Sequence, residues 1–167
     1  MPIGAAQGEW DDPAGDHEVG HTANSQFDDA SYTWTPGSST GWYPVADLRK
    51  VRIHEDAPDT ITFEVQVEAR ELTGREPHPV DIVGFNFNFR HHGLDRQMTI
   101  WWDLNDDRAD GVLRTISDNR SRIDEEFEAQ PLEEAPGWKV VIPKFKFRDA
   151  EKIPLRKGDL LEDVRVV

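Results

Sequence analysis

The sequence predicts an all-β fold: a single-domain antiparallel β-sandwich of jelly-roll or immunoglobulin-like type. Three observations carry that expectation. Apolar and polar residues alternate with period two, most clearly in "TITFEVQVEAREL" (60–72), where Ile61, Phe63, Val65 and Val67 alternate with Thr62, Glu64, Gln66 and Glu68. Such segments recur at intervals of roughly 8–12 residues between clusters of turn formers, the spacing of short strands in a sandwich. No segment sustains a helical apolar period; "RSRIDEEFEAQPLEEA" (120–135) comes closest, and Pro131 limits it. A chain of 167 residues is long enough to bury one core without disulfides, and it has no cysteine.

The elements follow in order along a single domain, residues 1–167. Residues 1–10 read as a flexible N-terminal arm. Residues 8–31 are rich in Gly, Asp, Pro and Asn without a period, and read as a loop. "YTWTPGSSTGWYP" (32–44) sets Tyr32, Trp34, Trp42 and Tyr43 around a Pro-Gly-Ser turn. "VADLRKVRIHED" (45–56) and the 60–72 strand, joined by Ala57-Pro58-Asp59, make an antiparallel pair with one wet face, since doubly covered parallel strands would be apolar throughout. "DIVGFNFNFR" (81–90) alternates Val83, Phe85, Phe87 and Phe89 against Asn86 and Asn88, and "RQMTIWWDL" (96–104) is a further strand. "GVLRTISDN" (111–119) and "RIDEEFEA" (122–129) are weaker strands, and "GWKVVIPKFKFRD" (137–149) reads as a strand pair with Pro143 as bend or edge marker. The final "LLEDVRVV" alternates like an edge strand, of a short protein or of a segment from a longer one.

A formal net charge of -14 repels phosphate backbones, and no Lys/Arg stripe offsets it, so nucleic acid is not an expected partner. No apolar run approaches the roughly 20 residues of a membrane span, so membrane insertion is not expected either. For catalysis there is no Gly-x-Ser-x-Gly element, no cysteine nucleophile and no phosphate-cradling glycine pattern. Carboxylate pairs such as Glu125-Glu126 and Glu133-Glu134 would suit a glycosidase, yet among 33 acidic residues such pairs arise by chance and read as a solvated face.

Two features carry candidate chemistry. In "WWDLNDDRADG" (101–111), Asp103, Asn105 and Asp107 stand at alternate positions with Asp110 behind, the hard-oxygen spacing that calcium uses in turns. It is not an EF-hand loop, because Arg108 stands where the glycine belongs and Arg114 where the bidentate glutamate belongs. The alternative is an ordinary solvated acidic turn. The aromatic residues are the second feature: sugars stack on indole and phenol rings while polar groups bond their hydroxyls. Trp34, Trp42 and Tyr43 lie beside turn residues, and strand alternation sends Trp101 and Trp102 to opposite faces, so at most one of that pair joins the core. Trp138 is expected in the core. His17, His21 and the pair His91-His92 offer transition-metal donors. Neighbours on a strand end should point apart, however, and solvated loop histidines are the expectation.

The elements Asp12-Pro13, Gly15-Asp16 and Gly20, then Tyr32, Trp34 and Pro36, Asp47-Leu48, Phe63 to Val67, and Gly84-Phe85 together give the chain a family likeness. It resembles the β-sandwich modules of secreted glucan-degrading enzymes: the glucodextranase C-terminal domain and family-nine-like carbohydrate-binding modules of the DOMON-like group. The resemblance spans most of residues 11–166 and implies structural calcium in the Asp-rich N-terminal loop, with Asp11, Asp12 and Asp16 as ligands. Some members of that group bind haem through His or Met, for which this chain offers Met98 and several histidines, but nothing else favours haem.

The leading expectation is therefore a non-catalytic, calcium-stabilised carbohydrate-binding module, binding a polysaccharide or oligosaccharide through Trp34, Trp42, Tyr43 and Trp101 or Trp102. It would sit outside the cell or at its surface, as part of a larger secreted protein. The alternatives are a structural cell-surface or assembly domain without a small ligand, and a small glycoside-acting enzyme using two carboxylates.

Overall fold

The computed structural model describes residues 3–4, 8–11, 44–55, 57–72, 80–118, 120–156 and 159–166. Within them the strands are β1 (Ile3–Gly4), β2 (Gly8–Asp11), β3 (Leu48–His54), β4 (Thr60–Val67), β5 (Ile82–His91), β6 (Leu94–Asp103), β7 (Arg108–Ser117), β8 (Arg120–Glu128), β9 (Gln130–Pro131), β10 (Gly137–Pro143) and β11 (Leu160–Val166). They form an antiparallel β-sandwich, one sheet ordered β1-β11-β5-β6-β7-β8 and the other β2-β3-β4-β10-β9. Among the described residues no helix is long and apolar enough to cross a membrane.

Alternation explains which face each strand buries. Val83, Phe85, Phe87 and Phe89 of β5, Met98, Ile100 and Trp102 of β6, and Leu113 of β7 face Val51 and Ile53 of β3, Ile61 to Val67 of β4, and Trp138, Val140 and Ile142 of β10. The core is aromatic at both ends. Phe63, Phe89 and Phe147 stack at centroid separations of 5.9–6.1 Å, and Trp102 meets Trp138 edge-on at 5.8 Å, both favoured ring geometries. Gly111 lets the sheets close over the middle, since a Cβ there would come within 2.5 Å of Met98 Cε.

The strands expected at 81–90 and 96–104 and their weaker successors are present as β5 to β8, which form a meander of consecutive hairpins. β5 and β6 are joined by a two-residue loop, His92-Gly93, in which both φ values are positive, 50° and 74°. Such turns match the right-handed twist of the strands they join, and glycine adopts the conformation freely.

Several expectations need correction. Gly8–Asp11, inside the stretch read as loop, is a strand paired with Lys50–Ile53. Ile3–Gly4 pairs with β11, so β11 lies between β1 and β5 rather than on the edge. The weak strand expected at 122–129, by contrast, is present as β8, an edge strand whose charged residues discourage further pairing. The 137–149 segment holds one strand, not two. After Pro143 the chain enters a 3-10 turn, Lys144–Lys146, which leaves Phe145 outside and delivers Phe147 to the core.

Candidate functional site

Three regions of the six-stranded sheet gather polar chemistry, and β6 runs through all of them. The first is the sheet's outer face. Cross-strand register aligns Gly84, Trp101, Asp110 and Glu128 in one row, Asn86, Thr99, Val112 and Glu126 in the next, and Asn88, Gln97 and Arg114 beyond. Trp102 is buried and Trp101 half-exposed on this outer face, so alternation divides the pair as expected. The six-membered ring of Trp101 lies across Gly84, where a Cβ would stand 3.0 Å from Cζ3. Beside it the hydroxyl of Thr99 donates to Asn86 Oδ1 at 2.8 Å and the amide of Gln97 to Asn88 Oδ1 at 2.9 Å, while Arg114 Nη1 approaches the Thr99 oxygen at 3.3 Å.

The second region is the acidic turn between β6 and β7. Asp103 Oδ1 accepts the backbone N–H groups of Asn105 (2.9 Å) and Asp106 (3.3 Å), which builds an Asx turn. The Asn105 amide donates to Asp81. Asp107, at a positive φ of 49°, takes both ends of its carboxylate to Arg70 Nη2 at 2.9 and 3.0 Å and also accepts the Trp102 indole N–H at 3.2 Å. Arg70 in turn lies 4.7 Å over the Trp138 ring. Asp110 is the third residue of β7, exposed and level with Trp101. Asp103 Oδ1 is thus engaged in the turn's own architecture and the Asp107 carboxylate with Arg70 and Trp102.

The third region, at the opposite end of β6, was weakly marked in the sequence. His91 continues the inward face of β5 and is buried, while His92 begins the turn. The left-handed backbone at His92 breaks the strand alternation, so the two imidazoles stack with centroids 3.8 Å apart instead of pointing away from each other, correcting the expectation. Asp159, from the segment before β11, places Oδ2 at 3.3 Å from His91 Nε2 and 3.1 Å from His92 Nε2. Asp149 Oδ2 accepts His92 Nδ1–H at 3.0 Å, and its other oxygen takes the N–H groups of Glu151 and Ile153. Beneath them Arg96, fully buried, bonds Asp124 at 3.0 Å and the carbonyl of Arg148, with its guanidinium 5.2 Å over the Phe147 ring. Arg122 reinforces Asp124 from outside at 2.8 Å.

The electrostatics follow from this packing. Burial, then the neighbouring His92, push His91 down to about 4, so at neutral pH it is an uncharged imidazole. Arg96 Nη1 lies 3.5 Å from its Nδ1, which makes Nδ1 the acceptor and Nε2 the N–H facing Asp159. Burial works against a charge on His92, yet the bonds to Asp149 and Asp159 outweigh it and raise its pKa. Burial likewise opposes the ionised forms of Asp149 and Asp159, and is outweighed by His92 together with the backbone N–H groups of Ile153 and Glu151 for the one and of Arg156 for the other; both are lowered. Among the described residues, His91, His92 and Asp159 form a group whose ligand atoms converge closely enough to hold one metal ion.

Of the residues singled out in the sequence, Trp101, Trp102, Asp103, Asn105, Asp107 and Asp110 are described above. Asp11 contributes its backbone to β2, and Asp12, Asp16, Trp34, Trp42 and Tyr43 lie outside the described residues. Sequence reasoning passed over Arg96, although its even spacing from Met98, Ile100 and Trp102 points it inward. Asp149 and Asp159 carried no such signal. Comparison with family models, curated proteins and solved structures finds no match to this chain.

Proposed function

We propose that the chain is a non-catalytic glycan-binding module whose contact surface is the outer face of the six-stranded sheet. The observation that carries this reading is the setting of Trp101: a partly exposed indole held across a glycine, level with the exposed carboxylates of Asp110 and Glu128. Such a surface offers a ring for the C–H face of a sugar and the exposed carboxylates of Asp110, Glu126 and Glu128 for its hydroxyls, while Asn86, Gln97 and Thr99 are buried and bond one another, fixing the floor of the face. The sandwich fold accords with the resemblance to carbohydrate-binding modules of the DOMON-like group, from which the polysaccharide partner and the extracellular setting are drawn. Calcium belongs to the same reading through the N-terminal Asp-rich loop; at the 103–110 turn an ion would have to displace Arg70 from Asp107.

Affinity electrophoresis through gels containing soluble glucans, extended to a broad glycan panel, tests the proposal. Retardation of the intact protein that Trp101→Ala abolishes, with the unfolding midpoint little changed, is the expected result. Unchanged mobility on every glycan would remove the binding reading and leave a structural domain, whereas release of reducing ends would replace it with an enzyme.

A further inference from the structure

We propose that His91 Nε2, His92 Nε2 and Asp159 Oδ2 form a binding site for a divalent first-row transition ion, and that zinc is the ion this donor set fits. The site lies at the opposite end of β6 from Trp101 and does not depend on glycan binding.

The geometry is the first argument. Zinc holds nitrogen and oxygen donors at about 2.0–2.2 Å, which makes the edge between neighbouring donors of a tetrahedron about 3.3–3.6 Å long. The same oxygen of Asp159 lies 3.3 Å from one imidazole nitrogen and 3.1 Å from the other. The three donor atoms also lie within 4.8 Å of one another, so a single ion reaches them all with small adjustments.

The second argument is preorganisation. The positive φ at His92 turns its ring onto that of His91, which an extended backbone would not do. A metal-bound histidine usually donates its other N–H to a carboxylate, and Asp149 stands 3.0 Å from His92 Nδ1 in that role. Asp149 is itself held by two backbone N–H groups, and the Arg156 N–H fixes Asp159 Oδ2 at 2.6 Å. His92 and Asp159 therefore each belong to a chain of bonds leading back to the backbone, and His91 is held by burial in the core.

The donor chemistry selects the ion. Two imidazoles and one carboxylate suit zinc and its neighbours better than calcium or magnesium, which prefer all-oxygen shells. Three protein donors leave one tetrahedral position for water. Metal on Nε2 of His91 requires its proton on Nδ1, so the 3.5 Å contact from Arg96 lengthens, while Arg96 keeps Asp124 and the Arg148 carbonyl. Asp149 and Asp159 supply the negative charge that balances the ion.

The test is calorimetric titration of zinc chloride into the full chain after EDTA treatment and dialysis, with cobalt(II) absorption as a second readout. We expect a one-equivalent binding event and ligand-field bands of four-coordinate intensity. Both should weaken at least tenfold in His92→Ala and in Asp159→Asn and persist in His54→Ala, whose imidazole pairs with Glu64 on the other sheet. Near-ultraviolet circular dichroism establishes that the variants are folded. No zinc uptake by the unaltered chain overturns the proposal, and so do equal affinity and an unchanged cobalt spectrum in folded His92→Ala and Asp159→Asn. Either result leaves the cluster as a hydrogen-bonded lock that joins the two histidines to Asp149 and Asp159.

Discussion

The two turns at the ends of β6 look opposite in the sequence and behave oppositely in the fold. The acidic turn at 103–107 is crowded with oxygen donors, of which Asp103 closes the turn itself and Asp107 neutralises Arg70. The His92-Gly93 turn has one polar side chain of its own, yet gathers two aspartates that lie 57 and 68 residues along the chain from the histidines they meet. Donor spacing within a segment counts candidate ligands. Convergence depends on what else the topology brings there, and on whether local backbone N–H groups have already taken the lone pairs.

The contrast predicts different costs for removing an aspartate at each end. Asp124→Ala leaves Arg96 buried with its main counter-charge gone, and breaking such a pair costs roughly 3–5 kcal/mol. Urea denaturation should show that loss as a lower midpoint with an unchanged slope; a loss below about 1 kcal/mol would mean that Arg96 finds water or another acid, and would blur the difference between the two ends.

The pH dependence of the metal-free protein sharpens the same comparison. His91 has a folded pKa of about 4, below its unfolded value of 6.5, so the unfolded chain takes up its proton first. Stability should therefore fall as pH drops from 6.5 toward 4, by at most about 1.4 kcal/mol per pH unit for one proton. The charged groups facing His91 are His92, Arg96 and Asp159. His92 has the opposite sign: its pKa is raised, so its contribution is full below 6.5 and is lost as pH climbs through the folded value. Asp159 and Asp149, both lowered, add their losses only below their ordinary value of 3.8. Unfolding curves in EDTA at closely spaced pH values should show this slope in the native chain and a flatter one in His91→Gln. Parallel slopes would remove His91 as the cause.

The smallest effect belongs to the acidic turn. Asp103→Ala removes an acceptor for two backbone N–H groups that stay within reach of solvent, a loss of about 1 kcal/mol. Thermal melts should give the same decrement with calcium and with chelator. A decrement appearing only with calcium would place an ion in this turn and erase the distinction between a turn that consumes its carboxylates and one that presents them.

The fold was legible where period and burial agree. Val83 to Phe89, Ile61 to Val67 and the split of Trp101 from Trp102 follow from period-two alternation, because a strand buries one face and leaves the other to solvent or to polar rows. Phe145 and Phe147 misled for the same reason: two aromatics two apart fit a strand, and Pro143 turns the chain into a 3-10 turn instead. His91 and Arg96 were readable in principle, as polar residues on an otherwise apolar alternating face.

The sequence thus specified an all-β sandwich, its principal strands, their buried faces and an acidic surface, all properties of local pattern and composition. The partnership of Asp159 with two histidines came from the return of β11 beside β5 and from one left-handed residue at a hairpin tip. Likewise, Asp107 was paired with Arg70 by a connection from the other sheet, and Asp103 with backbone N–H groups by the turn's own geometry. Periodicity encodes which way a side chain faces; which charges meet depends on long-range strand pairing, and short spacings in the chain carry no record of it.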